Sequence, residues 1–173
     1  YYNAQAFFDE SDESQMSRWL LKFEVKADQK FVLAFRIPGW VKEKPQVKIN
    51  GEEIKDPVIK DGYLELERHW QKDEISIYLP PELTLSALPD MPEMAAVMEG
   101  PVALAGLCDS DRGLYMESEE IKQMLAPKYE HTYSVFPWKQ STYQTKGQPE
   151  NFTFVPLYDI TDEAYTLYFT RKH

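Results

Sequence analysis

Apolar and polar residues alternate along much of this chain. From Trp19 to Ala27 every second residue is apolar, and the same alternation runs from Phe31 to Ile37. A period of two is typical of β-strands with one buried face. Further strands are predicted at residues 63–67, 75–79, 95–98, 102–107, 152–158 and 165–169.

Two dipeptides between these stretches favour tight turns. Asn50-Gly51 follows a short apolar strand, and Asp61-Gly62 precedes another. Asn, Asp and Gly tolerate positive φ, which two-residue hairpin loops require. Short strands separated by such turns predict an all-β, mainly antiparallel β-sandwich. The length of 173 residues indicates one domain over 1–173, or two small ones at most.

The alternation also predicts which side chains face the core. The inward-facing set is Trp19, Leu21, Phe23, Leu33, Phe35, Ile37, Leu64, Leu66, Ile75, Ile77, Leu104, Leu167 and Phe169. Truncation of a large, fully buried side chain to alanine lowers the free energy of unfolding by about 3–5 kcal/mol. We therefore expect a loss of this size for alanine substitutions at those of these positions that are fully buried.

Two segments lack a strand pattern. Residues 1–17 contain the acidic run DESDE and are predicted to be a solvated lead-in. Residues 108–150 are predicted to be an irregular excursion between strands, with one short helix. Ser118 would cap this helix, and Ile121, Met124 and Leu125 would face inward before Pro127 ends it.

Charge and cysteine content limit the partners. The net charge of -10 and the absence of a Lys/Arg cluster disfavour nucleic acid and anionic membranes. Cys108 is the only cysteine, so neither an internal disulfide nor a Cys-rich zinc site is expected. Neutral ligands such as sugars are compatible with this charge.

Catalytic motifs are missing from the sequence. There is no phosphate-binding glycine loop, nucleophile elbow or metalloprotease helix. His69, His131 and His173 lie far apart, and Cys108 follows a small apolar run typical of a buried side chain. We therefore expect no catalytic residue, metal or cofactor in this chain.

Aromatic residues of the excursion are the candidate ligand-binding residues. They are Tyr129, Tyr133, Trp138 and Tyr143. Exposed aromatic rings stack on sugar faces, and loops often carry binding residues. The alternative is that these rings attach the loop to the domain. Coplanar exposed rings would favour sugar binding, whereas buried rings would favour packing.

Five segments in order resemble the region downstream of the catalytic domain in glycoside hydrolase family 127, the β-L-arabinofuranosidase-like enzymes. They are LAFRIPGWV at 33–41, VKINGE at 47–52, DGYLELERHWQKDEISIYLP at 61–80, VMEGPVALAG at 97–106 and FVPLYDITDEAYTLYF at 154–169. The resemblance covers 33–106 and 154–169 well, residues 1–30 loosely, and 107–150 hardly at all.

The resemblance implies a helical-barrel catalytic domain followed by β-sandwich domains. In the enzymes of that family, the reaction uses a cysteine nucleophile and a zinc ion held by cysteines and a glutamate, and all of these residues lie in the barrel. The resemblance therefore implies no catalytic residue in this chain. Relatives digest plant arabinose-containing glycans, and the parent enzyme is expected in the periplasm or outside the cell.

Three hypotheses follow from the sequence. The leading one is a non-catalytic C-terminal β-sandwich scaffold that packs against the helical-barrel catalytic domain of the same parent chain. The second is a carbohydrate-binding module that uses the aromatic residues of 129–143. The third is a domain that makes the parent enzyme a homodimer.

Overall fold

The computed structural model describes residues 19–109, 112–115, 120–128 and 141–172. The chain divides into two compact units, of which unit 1 ends at Pro81 and unit 2 begins at Glu82. Each unit has its own β-sheet and its own hydrophobic core. The predicted all-β, mainly antiparallel fold with one short helix is confirmed. The single sandwich over 1–173 stays a prediction.

Unit 1 is built on a ribbon of two long strands. Strand β1 is Leu20–Arg36, β2 is Gln46–Ile49, β3 is Glu52–Glu53, β4 is Val58–Lys60 and β5 is Tyr63–Tyr78. The described sheet has the order β1-β5-β2-β3, and β4 also pairs with β5. The alternating stretches predicted as four separate strands are therefore halves of β1 and β5.

Both predicted turns of unit 1 are present. Asn50 and Gly51 have φ of 52° and 82° and join β2 to β3, whereas Asp61 and Gly62 have φ of 49° and 79° and join β4 to β5. Two successive residues with positive φ match the twist of the flanking strands. These turns set the register of both hairpins.

The β1–β5 ribbon is interrupted by a bulge. Its register shifts between Lys26 and Gln29, so β1 has one extra residue there. A bulge bends the strand and increases its twist. The bend brings the apolar faces of the two ribbon halves together, since the rings of Phe23 and Phe35 lie 4.8 Å apart. Unit 1 therefore forms its core by folding one ribbon over itself.

The prediction of a core position is wrong for two residues of unit 1. Leu21 is 42% exposed and Phe23 is 37% exposed. Both share a sheet face with buried Ile75 and Ile77, to which they are paired. Among the described residues β1 pairs along one side only, so its side chains lie at the margin of the core. Trp19, Leu64, Leu66, Ile75 and Ile77 are buried as predicted, and Leu33, Phe35 and Ile37 are half-buried.

Unit 2 contains the remaining described strands and the helix. They are β6 (Leu83–Ala87), β7 (Met94–Glu99), β8 (Val102–Gly106), β9 (Leu114–Tyr115), α1 (Ile121–Met124), β10 (Leu125–Pro127), β11 (Tyr143–Thr145), β12 (Thr153–Pro156) and β13 (Tyr168–Lys172). The sheet order is β10-β11-β12-β8-β7-β13-β9, with β6 on β7, and the β13–β9 pair is parallel.

The described parts of 108–150 are more regular than the predicted excursion. They supply α1 and three strands to unit 2. Ile121, Met124 and Leu125 are buried as predicted, although the helix ends at Met124 and Leu125 lies in β10. Glu120 is the N-cap position and makes no side-chain capping bond, whereas Ser118 lies outside the described residues.

The core of unit 2 is centred on three phenylalanines. Phe152 and Phe169 are stacked with ring centroids 5.6 Å apart, and Phe154 meets Phe169 edge to face at 5.3 Å. Gly106 lies against this cluster, where a Cβ would come within 2.6 Å of Phe169 and 2.9 Å of Phe152. Leu104 and Phe169 are buried as predicted, whereas Leu167 is half-buried.

Candidate functional site

Tyr143 is the one candidate ligand-binding residue that the structure describes. It lies in β11, is 7% exposed, and its hydroxyl donates to Oε1 of buried Glu99 at 2.5 Å. Its ring belongs to the core of unit 2. This burial favours a packing role for Tyr143. The binding hypothesis for Tyr129, Tyr133 and Trp138 stays a prediction, because these three lie outside the described residues.

Strand pairing explains the position of Tyr143. It is paired with Pro127 of β10 on one side and with Phe154 of β12 on the other. Beyond this ladder the backbone N–H of Lys128 donates to the carbonyl of Thr142 at 2.9 Å. The Tyr143 side chain is therefore directed into the core by a three-stranded arrangement, and its hydroxyl reaches the end of β7.

A polar cleft that sequence reasoning missed lies at the margin of unit 2. It is lined by Arg112, Gly113, Tyr115, Gln148, Pro149, Glu150 and Phe152. The Arg112 guanidinium pairs with the Glu150 carboxylate. The Gln148 amide accepts from the N–H of Tyr115 at 2.9 Å and donates to its carbonyl at 2.9 Å. These bonds attach β9 to the turn before β12, so the polar groups serve the fold.

Cys108 has the environment of a packed thiol. It is half-buried against the core of unit 2, and its carbonyl accepts from the Thr166 hydroxyl at 3.2 Å. Burial raises the pKa of the Cys108 thiol above its ordinary value, although Thr166 and Arg112 act in the opposite direction. A raised pKa leaves less thiolate at neutral pH, and the thiolate is the nucleophile.

His69 contributes to an exposed polar pair. Its Nε2 lies 3.0 Å from Oδ1 of Asp28, and both side chains are mostly exposed. His131 and His173 lie outside the described residues.

Within the part of the chain that the structure describes, no group of three or more His, Cys, Asp or Glu side chains could hold a metal ion. No helix among those residues is long and apolar enough to cross a membrane.

Asp73 is a buried carboxylate with a structural network. Its side chain is 5% exposed and accepts from the Gln71 N–H at 2.8 Å and from Nδ2 of Asn50 at 2.7 Å. These two bonds, with a smaller contribution from Arg68, hold the pKa of Asp73 below its usual range. The Oδ1 of Asn50 in turn accepts from the Glu74 N–H at 2.8 Å. The network fastens the β2–β3 turn to β5, and the Asn-Gly dipeptide was its signal in the sequence.

Comparison with known proteins finds one enzyme family to which part of this chain is similar. Residues 7–81 match the family model described as "Beta-L-arabinofuranosidase, GH127 middle domain". The comparison with curated proteins gives no match. The match ends at Pro81, which is also the end of unit 1. A C-terminal region was expected from the sequence, whereas the matched family model is that of a middle domain.

Solved structures resemble nearly the whole chain. A GH127 β-L-arabinofuranosidase from Geobacillus stearothermophilus T6 is 20% identical with a TM-score of 0.56 over 90% of this chain. A second GH127 β-arabinofuranosidase is 18% identical with a TM-score of 0.59 over 91%. A glycoside hydrolase is 14% identical with a TM-score of 0.57 over 91%.

The chain spans only about 30% of the length of these structures, since it covers 29%, 31% and 31% of them. At such identities the likeness concerns the fold. The described part of unit 1 thus lies within a segment similar to the GH127 middle domain, and the fold of the chain is that of a portion of GH127 arabinofuranosidase structures.

Proposed function

We propose that this chain is a non-catalytic accessory β domain of a GH127-type glycoside hydrolase that acts on arabinose-containing glycans. The match of residues 7–81 to the GH127 middle domain carries the proposal. In this proposal the catalytic domain is a helical barrel of the same parent protein, and the present chain lies downstream of it as a scaffold.

The use of polar side chains supports a non-catalytic role. Tyr143 bonds to Glu99, Arg112 pairs with Glu150, and Asp73 holds the β2–β3 turn. Each of these groups joins one element of the fold to another. The Cys108 thiol, whose pKa is raised by burial, is poorly suited to nucleophilic attack.

The packing of each unit supports a scaffold role. Side chains such as Trp70 and Ile75 in unit 1 and Phe154 and Leu104 in unit 2 are fully buried. Packed cores deform little, and a rigid support keeps neighbouring catalytic groups within the narrow tolerance that chemistry requires. A scaffold of this kind acts through stability of the parent enzyme.

The experiment combines an activity assay with glycan binding. The purified chain is incubated with an aryl β-L-arabinofuranoside, its zinc content is measured, and arabinan oligosaccharides are titrated into it by calorimetry. We expect no turnover, no stoichiometric zinc and no binding heat. Turnover that disappears in Cys108→Ser would overturn the non-catalytic role. Saturable glycan binding that disappears in Trp138→Ala would identify a carbohydrate-binding module instead.

A further inference from the structure

The turn between β2 and β3 carries a chemically reactive dipeptide, Asn50-Gly51. In such a dipeptide the backbone nitrogen of glycine can attack the side-chain amide carbon of asparagine, because glycine has no Cβ that hinders the approach. Both residues are exposed, so water reaches the turn. The reactive pair and the solvent that the reaction needs therefore meet at one place on unit 1.

The side-chain amide of Asn50 is restrained by hydrogen bonds to β5. Its Oδ1 accepts from the backbone N–H of Glu74 at 2.8 Å, and its Nδ2 donates to Oδ1 of Asp73 at 2.7 Å. The backbone N–H of Asn50 also donates to the carbonyl of Glu74 at 2.8 Å. Attack by the Gly51 nitrogen closes a five-membered ring, for which the side chain and the following peptide rotate toward each other. The amide must then leave its partners on β5.

Asp73 is the fixed end of this restraint. Its side chain is 5% exposed, accepts from the backbone N–H of Gln71 at 2.8 Å, and lies 3.4 Å from the guanidinium of Arg68. A hydrogen bond to an ionised acceptor is stronger than one between neutral groups. Rotation of the Asn50 amide would leave the buried carboxylate without one of its donors, which costs free energy. The network therefore keeps the population of the reactive conformation low.

We propose that Asn50 is a site of spontaneous deamidation whose rate is controlled by the Asp73 network, and that the reaction detaches the β2–β3 turn from β5. The Gly51 nitrogen bonds to Cγ of Asn50, and the amide group leaves with the proton of that nitrogen as ammonia. Water then opens the resulting succinimide at either carbonyl. The products are aspartate and isoaspartate, and water is the only further reactant.

Both products are incompatible with the present contacts. Aspartate at position 50 has no Nδ2 donor and directs a second carboxylate at Asp73, where like charges repel. Isoaspartate lengthens the backbone of the turn by one methylene group, so the turn no longer fits the pairing of Lys48 with Glu53. A reaction at one residue thus releases the β2–β3 hairpin from its attachment to β5.

Peptide mapping of the full chain by mass spectrometry tests the control by Asp73. The chain is incubated at mildly alkaline pH well below its melting temperature, and aspartate and isoaspartate at position 50 are quantified over time. We expect deamidation to be at least about tenfold faster in Asp73→Ala than in the wild type, a factor that one hydrogen bond to a charged group supplies. Asp73→Asn keeps an acceptor and should lie between the two.

Two controls separate this effect from general unfolding. Leu64 is fully buried in β5 and makes none of the hydrogen bonds of the network, so Leu64→Ala lowers stability and should leave the rate at Asn50 nearly unchanged. Asn151 in the same digest should react at one rate in all variants. Equal acceleration by Leu64→Ala and Asp73→Ala would overturn the proposal. A wild-type rate at Asn50 equal to that of a free peptide of residues 46–55 would overturn it as well.

An exchange of the two side chains tests the consequence of the reaction. Asn50→Asp reproduces the aspartate product and should lower the melting temperature. In Asn50→Asp combined with Asp73→Asn, the amide donor stands on the other side of the same contact, and more than half of that loss should be recovered. Fully additive losses would show that the turn is not held through this contact, and the proposal would fail.

Discussion

The phenyl rings of Phe23 and Phe35 have centroids 4.8 Å apart although both residues belong to strand β1. Twelve residues of straight strand would separate them by about 40 Å. The bulge between Lys26 and Gln29 is the feature of the ladder that allows the strand to fold back. One strand thus supplies side chains to both sides of the unit 1 core.

This ring contact predicts a measurable coupling across the fold. In a double-mutant cycle of Phe23→Ala and Phe35→Ala, we expect a coupling free energy of about 0.5–1.5 kcal/mol, the usual value for an aromatic pair. Urea denaturation of the four proteins measures it. The cycle of Phe35→Ala with Phe169→Ala is the control and should be additive, since Phe169 packs in unit 2. Additivity in both cycles would contradict the contact between Phe23 and Phe35 and the folding back of β1 that produces it.

Gly106 is predicted to be irreplaceable by alanine without loss of stability. A Cβ at this position would lie 2.6 Å from Cζ of Phe169 and 2.9 Å from Cε2 of Phe152, so the stacked rings would have to move. Overpacking of this kind costs about 1–3 kcal/mol. Chemical denaturation should show this loss for Gly106→Ala. Gly39→Ala is the matched control, because no described atom lies within 4 Å of the position that its Cβ would take, and its midpoint should not fall.

The lowered pKa of Asp73 predicts that the stability of the folded chain depends on pH in the acidic range. Its pKa in the folded chain is held below the unfolded value of about 3.9 by the Gln71 and Asn50 hydrogen bonds. The ionised group therefore stabilises the fold above that unfolded value, and this contribution is lost as pH falls through the folded pKa.

Thermal melts between pH 7 and pH 2.5 measure this contribution. Asp73→Asn should show a smaller fall in melting temperature with acidification than the wild type. Asp56→Asn is the control, because the pKa of Asp56 is also lowered, by the hydrogen bond from Lys44, but its side chain is 93% exposed. An equal effect of both substitutions would mean that burial of the Asp73 network has no influence on stability.

The Tyr143 hydroxyl is predicted to matter for stability and not for ligand binding. Tyr143→Phe keeps the ring in the core and removes the donor to Glu99, which costs about 1–3 kcal/mol for a buried acceptor. Tyr115→Phe is the control at a residue that is 42% exposed, and its loss of stability should be smaller than that of Tyr143→Phe. Denaturation and arabinan titration are run on both variants. A change in glycan affinity for Tyr143→Phe alone would return Tyr143 to the set of binding residues.

Local chemistry made most of the strands and turns of this fold predictable. Positive φ at Asn50 and Asp61 follows from residue type, and the burial of Leu64 and Ile75 follows from alternation. The exposure of Leu21 and Phe23 could not be predicted in the same way. Their pattern is that of a buried strand, and only the pairing of β1 with β5 on a single side makes them marginal.

The predicted site was less accessible to sequence reasoning. Tyr143 lies in a polar, aromatic stretch that resembles a binding loop, but its burial depends on pairing with Pro127 and Phe154, which are distant along the chain. The Arg112–Glu150 cleft combines residues 38 positions apart and has no local motif. For the Asp73 network the sequence signalled only the Asn50-Gly51 turn, because the pairing of Asn50 with Asp73 joins residues 23 positions apart.

The long ladder between β1 and β5 has a consequence for how the polypeptide folds. Its outermost pair is Leu20 with Tyr78, while its innermost pair is Arg36 with Tyr63. Contacts between residues so far apart in sequence give a high contact order, and chains of high contact order fold slowly. During synthesis the ladder cannot be completed until Tyr78 has left the ribosome, and a chain that stops earlier presents an unpaired apolar strand prone to aggregation.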